Sequence, residues 1–225
     1  MWMRKILVLV LCMVFMIQPV RGTQTQKYAV LTFDDGPSGR YTRTLLEGLA
    51  EREVKATFLL CGYRSELAPE LTRRIWEEGH EIGYHGYSHC CMGKMCRAQI
   101  RKELCDTRAI LPEDCQPVFL RPPGGILNDT VRQTAREAGL PILTWSVDPR
   151  DWATTDAAAV ERAVLEKVRD GDVILLHDMS NSSVEAALAI VDAMLAEGYI
   201  FCTASELARL RGVTPEPGRV YSRFP

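Results

Sequence analysis

Residues Tyr28–Pro37 read YAVLTFDDGP. Tyr28–Phe33 is a β-rich apolar run, and it ends abruptly on Asp34, Asp35 and a Gly36-Pro37 turn. By composition alone, Asp-Asp-Gly-Pro would be a solvated turn. Its position weakens that reading, because the two carboxylates close an apolar strand. In parallel α/β folds, ligand sites gather at the carboxyl ends of the strands.

Outward from this stretch, short β-rich runs alternate with longer segments of helical period. Further strands are expected at Lys55–Leu60, Glu81–Tyr84, Val118–Leu120, Pro141–Val147, Val173–Leu176 and Tyr199–Cys202. Helices are expected near Tyr41–Arg52, Leu67–Glu78, Ala98–Leu111, Asn128–Ala138, Asp156–Val168, Ser183–Glu197 and Ala204–Arg211. Asn128 provides an N-cap and Gly139 a stop for their helix. Val173–Leu176 is apolar throughout, so burial on both faces is expected. This alternation implies an α/β fold with a parallel sheet and helical crossovers, and seven units favour barrel-like closure over an open sheet. One domain should cover 23–211, followed by an irregular Pro/Gly/Arg-rich tail at 212–225.

The polar residues fall where strands end. After the third strand come His85 and His89; after the fourth comes Arg121-Pro-Pro-Gly-Gly, with Gly124 in fourth place. Asp148 and Asp151-Trp152 follow the fifth, and His177-Asp178 the sixth. Three of the four histidines of the chain are in this set.

His85 and His89 have H-x3-H spacing, which on a helical turn places both rings on one face, able to grip one ion. Surface helices often carry such pairs, so the spacing is weak evidence alone. Asp34 or Asp35 can supply a carboxylate, and two histidines, one carboxylate and an open position suit zinc or a similar divalent ion. The remaining aspartate is then free to act on water as a general base.

The chain has 225 residues, 47% hydrophobic and 25% charged, with 27 basic and 29 acidic side chains. That composition excludes intrinsic disorder. A net charge of −2 excludes a basic-arm binder of nucleic acid. Residues 1–22 have the layout of a secretory signal peptide: Arg4 and Lys5, the apolar run Ile6–Ile17, then Val20 and Gly22 before a cleavage point. At 12 residues the run is shorter than the roughly 18 a membrane span needs. The mature chain is therefore expected to be secreted or associated with the cell wall or surface, touching a membrane only if the leader is retained. A monomer is expected. Removing Cys12 leaves seven cysteines, an odd number, with Cys105–Cys115 a plausible disulfide. Cys90 and Cys91 directly follow His89. They read either as an extra thiolate ligand or redox gate, or as ordinary loop thiols, and the second reading is preferred.

Thr32–Pro37, His85-x3-His89, Arg121–Gly125, Asp148-x2-Asp151-Trp152 and Leu175-x-His177-Asp178, in that order, resemble the polysaccharide deacetylases. These are the NodB-homology enzymes of carbohydrate esterase family 4, and the resemblance spans residues 28–203. It implies a distorted seven-stranded (β/α) barrel and metal-dependent removal of N-acetyl groups from N-acetylglucosamine polymers, peptidoglycan or chitin-like. It further implies Asp34 as general base and Asp35, His85 and His89 as ligands of a divalent ion, zinc first, with cobalt or manganese as alternatives. Arg121 would orient Asp34. His177 would be the general acid, oriented by Asp151, with Asp148 the other candidate. Trp152 and Leu175 would line the acetyl slot, and the backbone N–H at Gly124 would serve the oxyanion.

Two positions depart from the family pattern. Gly124 stands where an aromatic is usual, and Gly86 where a hydroxyl residue follows the first histidine. They put substrate grip and ligand rigidity in question while leaving every expected ligand and proton carrier intact. Two other readings stand beside the deacetylase: an esterase of O-acetylated xylan, and a non-catalytic glycan-binding or sporulation-associated protein. Retention of both base and acid argues against the binder.

Overall fold

Strand β1 (Lys27–Asp34) lies at the centre of the molecule because nearly everything it carries is apolar or satisfied. The computed structural model describes residues 26–225, so the expected signal peptide lies outside the described residues. From β1 the chain runs through α1 (Gly39–Glu51), β2 (Thr57–Leu60), α2 (Gly62–Leu67), α3 (Pro69–Glu77) and β3 (Glu81–Tyr84). Then come α4 (Arg97–Ile110), α5 (Asp129–Glu137), β4 (Ile142–Leu143), α6 (Ala157–Leu165) and β5 (Asp172–His177). Helix α7 (Asn181–Ala196), β6 (Tyr199–Phe201), α8 (Ala204–Leu210) and β7 (Val220–Tyr221) complete it.

The sheet order is β3-β2-β1-β5, all parallel, with β6 also paired to the start of β1. Asp34 is in register with Leu59 of β2 and His177 of β5, so the polar ends of β1 and β5 meet directly. Beyond β3 the ladder continues only as single bridges, Tyr84 to Leu120 and Leu120 to Ile142. On the far side Val147 bridges Ile174 of β5. The result is a distorted (β/α) barrel that is not regularly closed. β5 is buried along almost its whole length, as its apolar sequence requires.

Several boundaries differ from expectation for identifiable reasons. The helix expected near 67–78 is α3, opened at its first turn by Pro69, which cannot continue the helix before it; the short α2 that precedes it was not expected. Val118–Leu120 makes bridges rather than a strand. The strand expected over 141–147 is regular only at Ile142–Leu143; Thr144 then turns to bond the carbonyl of Tyr221 (2.8 Å). The segment 212–225 is not an irregular tail. β7 pairs with β4, Phe224 is buried, and its N–H donates to Gly171 O (2.8 Å). Its apolar residues Tyr221 and Phe224 stack on each other within the core around Val30 and Phe119.

The seven cysteines among the described residues are all free. The expected Cys105–Cys115 bridge is absent among the described residues: Cys115 points into the core, whereas Cys105 is exposed on α4.

Candidate active site

The site forms where β1, β3 and β5 end. Asp34 is the last residue of β1 and is buried. Asp35 leaves the strand in the left-handed region, at φ 74. A non-glycine residue there is strained, at roughly 1–3 kcal/mol. Strand alternation would send the two aspartates to opposite faces; the backbone turn at Asp35 lets both carboxylates reach the same cleft.

His85 and His89 do not lie on one helical turn, which corrects that part of the spacing argument. His85 directly follows β3, Gly86 turns the chain at φ 82, and His89 itself sits at φ 59. Four residues of bent loop bring the rings to a centroid separation of 5.2 Å. Their Nε2 atoms lie 3.2 Å (His85) and 2.9 Å (His89) from Asp35 Oδ1. His85 Nδ1 lies 2.7 Å from the carbonyl of Arg121. A carbonyl only accepts, so Nδ1 carries the proton and a neutral ring has its Nε2 lone pair free.

Asp35 Oδ1 is buried and has no aligned hydrogen-bond donor among the described residues. Burial raises the pKa of Asp35, but the adjacent imidazoles of His85 and His89 outweigh it and hold the carboxyl well below the usual range. His89 is raised in turn, chiefly by Asp35. An orphaned buried carboxylate oxygen facing two imidazole nitrogens is a donor set that a divalent cation satisfies. Asp35, His85 and His89 offer ligand atoms that all lie within 4.8 Å of one another. Cys90, exposed, and Cys91, half-buried, are not part of that cluster.

Arg121 is fully buried, and each arm of its guanidinium is occupied. Nη1 donates to Asp34 Oδ1 (2.6 Å) and Thr32 Oγ1 (2.8 Å), while Nε and Nη2 donate to the carbonyls of Leu143 (2.9 Å) and Thr144 (2.8 Å). A buried cation held in this way fixes one oxygen of Asp34 and leaves the other, Oδ2, facing the cleft 3.8 Å from His85 Nε2.

Across the cleft, His177 ends β5. Its Nδ1 lies 2.8 Å from Asp151 Oδ1, and its backbone N–H donates to Asp151 Oδ2 (2.8 Å). Burial is the largest single influence on His177 and lowers its pKa. The hydrogen bond to Asp151 and the charges of Asp151, Asp34 and Asp35 reverse this and push it up to about 9. Asp148 does not touch His177 in this arrangement: its Oδ1 accepts from Arg150 N (2.8 Å), closing the turn that delivers Asp151 and Trp152.

Asp34, Asp35, His85, His89, Gly124, Asp148, Trp152, Leu175 and His177 line one cavity of about 390 Å³ together with Trp145. Trp152 is 61% exposed at its rim, with the Arg150 guanidinium 5.1 Å from its ring. Trp145 was not expected here, since it reads as an interior residue of an apolar strand. It packs so closely on Gly125 that a Cβ there would lie 2.6 Å from its ring. It supplies an aromatic wall beside Gly124, where the usual ring is missing. Asp178, read with His177 at the end of the sixth strand but given no role there, is wholly buried, accepts from Thr42 Oγ1, and burial pushes its pKa up to about 6.

A distorted parallel α/β barrel whose strand ends present a carboxylate–imidazole donor set, an anchored carboxylate and an opposed histidine has the make-up of a metal-assisted hydrolase. Comparison with known proteins agrees. Residues 21–143 match the family described as polysaccharide deacetylase. A peptidoglycan-N-acetylglucosamine deacetylase of Bacillus cereus is 37% identical over 83% of this chain and 90% of that protein. A chitooligosaccharide deacetylase of Sinorhizobium fredii is 38% identical over 66% of this chain and 70% of its own. Several longer relatives are matched over about two fifths of their length. Among solved structures, a family 4 acetyl xylan esterase from Clostridium thermocellum in complex with a cobalt ion superposes with a TM-score of 0.83. It is 36% identical, over 88% of this chain and 100% of that one. The chain belongs to the polysaccharide deacetylase family.

Proposed function

We propose that this protein is an exported, divalent-metal-dependent N-deacetylase of glycans containing N-acetylglucosamine, peptidoglycan or chitin-like oligosaccharides. One observation carries the reading: Asp34, anchored by Arg121, and His177, anchored by Asp151, face each other across the Asp35–His85–His89 donor set.

The chemistry needs both. Hydrolysis of an amide forms a C–O bond from water, breaks C–N, and must protonate the departing nitrogen. Asp34, fixed at one oxygen, uses the other to take the proton from the attacking water. His177 holds its Nδ1 proton against Asp151, so its Nε2 proton is the one directed at the leaving amine. When bound, a divalent ion supplies Lewis acidity, polarising the acetyl carbonyl and acidifying water. Asp35, His85 and His89 would hold it; the borderline-soft imidazole pair with one carboxylate suits zinc first, then cobalt or manganese. Trp145, Trp152 and Leu175 bound the slot for the acetyl methyl.

A second reading keeps the site and changes the leaving group to the alcohol of an O-acetylated xylan, and likeness to the acetyl xylan esterase favours it. The dedicated Asp151–His177 acid argues for the amide, because an amine departs only when protonated. Mass spectrometry of N-acetylglucosamine oligomers tests the choice, using zinc-loaded protein, chelated protein and Asp34→Asn. Acetyl loss confined to the zinc-loaded wild type supports the deacetylase. Intact oligomers alongside acetate release from acetyl xylan would transfer the assignment to the esterase.

A further inference from the structure

The two histidines of the donor set are held by different means. His85 is fixed by β3 behind it and by its Nδ1 hydrogen bond to Arg121 O. The His89 side chain is 42% exposed, its residue lies in a bent loop at φ 59, and its ring approaches only Asp35 among the described ion-pairing groups. The backbone of residues 86–89 therefore decides where its Nε2 points.

That backbone is tied down from outside the family's motifs. Helix α4 sends Glu103 to it: Oε2 accepts from Tyr87 N (2.7 Å) and Ser88 N (2.8 Å), and Oε1 accepts from Ser88 Oγ (2.8 Å). Two consecutive backbone N–H groups make an anion-binding concavity, here filled by the protein's own carboxylate. Helix α2 adds Gly62 N to Gly86 O (2.9 Å) and Tyr63 N to Tyr87 O (3.0 Å). Gly86 is shaped to this arrangement. A Cβ there would lie 3.0 Å from Glu103 Oε2 and 2.9 Å from Met92 Cε, on a backbone whose φ of 82 disfavours one. Gly86 thus leaves room for a carboxylate that restrains the loop.

We propose that Glu103 is a positioning residue for the metal site, holding the Tyr87–Ser88 backbone so that His89 reaches the ion. The inference rests on the reading of Asp35, His85 and His89 as ligands. Glu103 touches neither substrate nor the reacting atoms.

The test is zinc binding by titration calorimetry on the wild type, Glu103→Ala and Glu103→Gln, with thermal unfolding of each in chelator and in excess zinc. Losing an outer partner of a ligand costs about 10–100-fold in metal affinity. Glu103→Ala should fall in that range. Glu103→Gln, which keeps one acceptor oxygen, should fall between it and the wild type. The zinc-induced rise in Tm should shrink in the same order. Cobalt-loaded Glu103→Ala should show an altered visible spectrum, which a merely structural role would leave unchanged. Zinc affinity and cobalt spectrum both like the wild type in Glu103→Ala would overturn the proposal. Should Glu103→Ala fail to fold, wild-type affinity in Glu103→Gln would overturn it equally. A wild type that binds neither zinc nor cobalt would instead remove the metal-site reading, and this inference with it.

Discussion

Asp35 and Glu81 are carboxylates at opposite ends of the same parallel sheet, one just past the end of β1 and the other at the start of β3. Burial is the largest influence on both, and it favours the neutral acid in each case. The outcomes are opposite. Two imidazoles at the upper rim hold Asp35 ionised, whereas Glu81 at the lower rim has only the backbone N–H and hydroxyl of Ser205 and is pushed up to about 7. Burial alone thus does not mark a site. What distinguishes the upper rim is a buried carboxylate oxygen with two imidazole nitrogens set against it in the geometry of a metal donor set.

The sharpest way to break the contrast is to remove the upper carboxylate. Asp35→Ala leaves two imidazoles and no carboxylate in the donor set, and zinc affinity should fall about 1,000-fold or more, read as metal retained after dialysis. Deacetylation should disappear with it. Asp34→Asn separates the neighbouring aspartates: the turnover rate should drop by about 10²–10⁴-fold, the range typical of general-base loss, with zinc affinity changed only a few-fold. Equal loss of metal in both variants would show that the two carboxylates share one role.

Asp151→Asn acts across the cleft. Asp151 helps to raise His177, so its neutral replacement should lower the pKa of that histidine from about 9 toward its ordinary 6.5. A general acid works only while protonated. The alkaline limb of the kcat/KM profile should therefore move to lower pH, with a rate loss of about 10–100-fold at neutrality. The wild-type histidine also couples to folding. Its pKa is raised on folding, so its contribution to stability is complete below about 6.5 and is lost as pH rises through about 9. In metal-free protein, Tm should decline across that window, and less steeply in Asp151→Asn.

The sequence makes the upper rim legible because its chemistry is carried by residues next to strand ends: Asp34, Asp35, His85, Arg121 and His177 each follow an apolar run. His89 is legible as a residue and not as a geometry, since H-x3-H spacing cannot reveal the positive φ at Gly86 and His89 that replaces a helix by a bent loop. Glu103 gives no signal at all, because a glutamate on an amphipathic helix looks the same whether it faces water or two backbone N–H groups. Trp145 and the β4–β7 pairing were hidden for a related reason. Both depend on contacts between segments distant in the chain, Gly125 with Trp145 and Ile142 with Val220, which no local pattern records.

The smallest effect belongs to the lower rim, where it tests the other half of the contrast. Glu81 has a folded pKa of about 7 against an ordinary value near 4.5. A raised carboxyl stabilises the fold most fully below about 4.5, and that contribution is lost as pH climbs through 7. Glu81→Gln keeps an acceptor oxygen for Ser205 and removes the buried charge. Between pH 4.5 and 7 the variant should lose part of the wild type's fall in stability. Near pH 8 it should be as stable as the wild type or more so, by roughly 1 kcal/mol. Chemical denaturation at three pH values checks this, and zinc affinity and deacetylation should stay as in the wild type because nothing at that end faces the cleft. A variant destabilised equally at every pH would mean that Glu81 is ionised and needed by Ser205, making the two rims alike in how they treat a buried carboxylate.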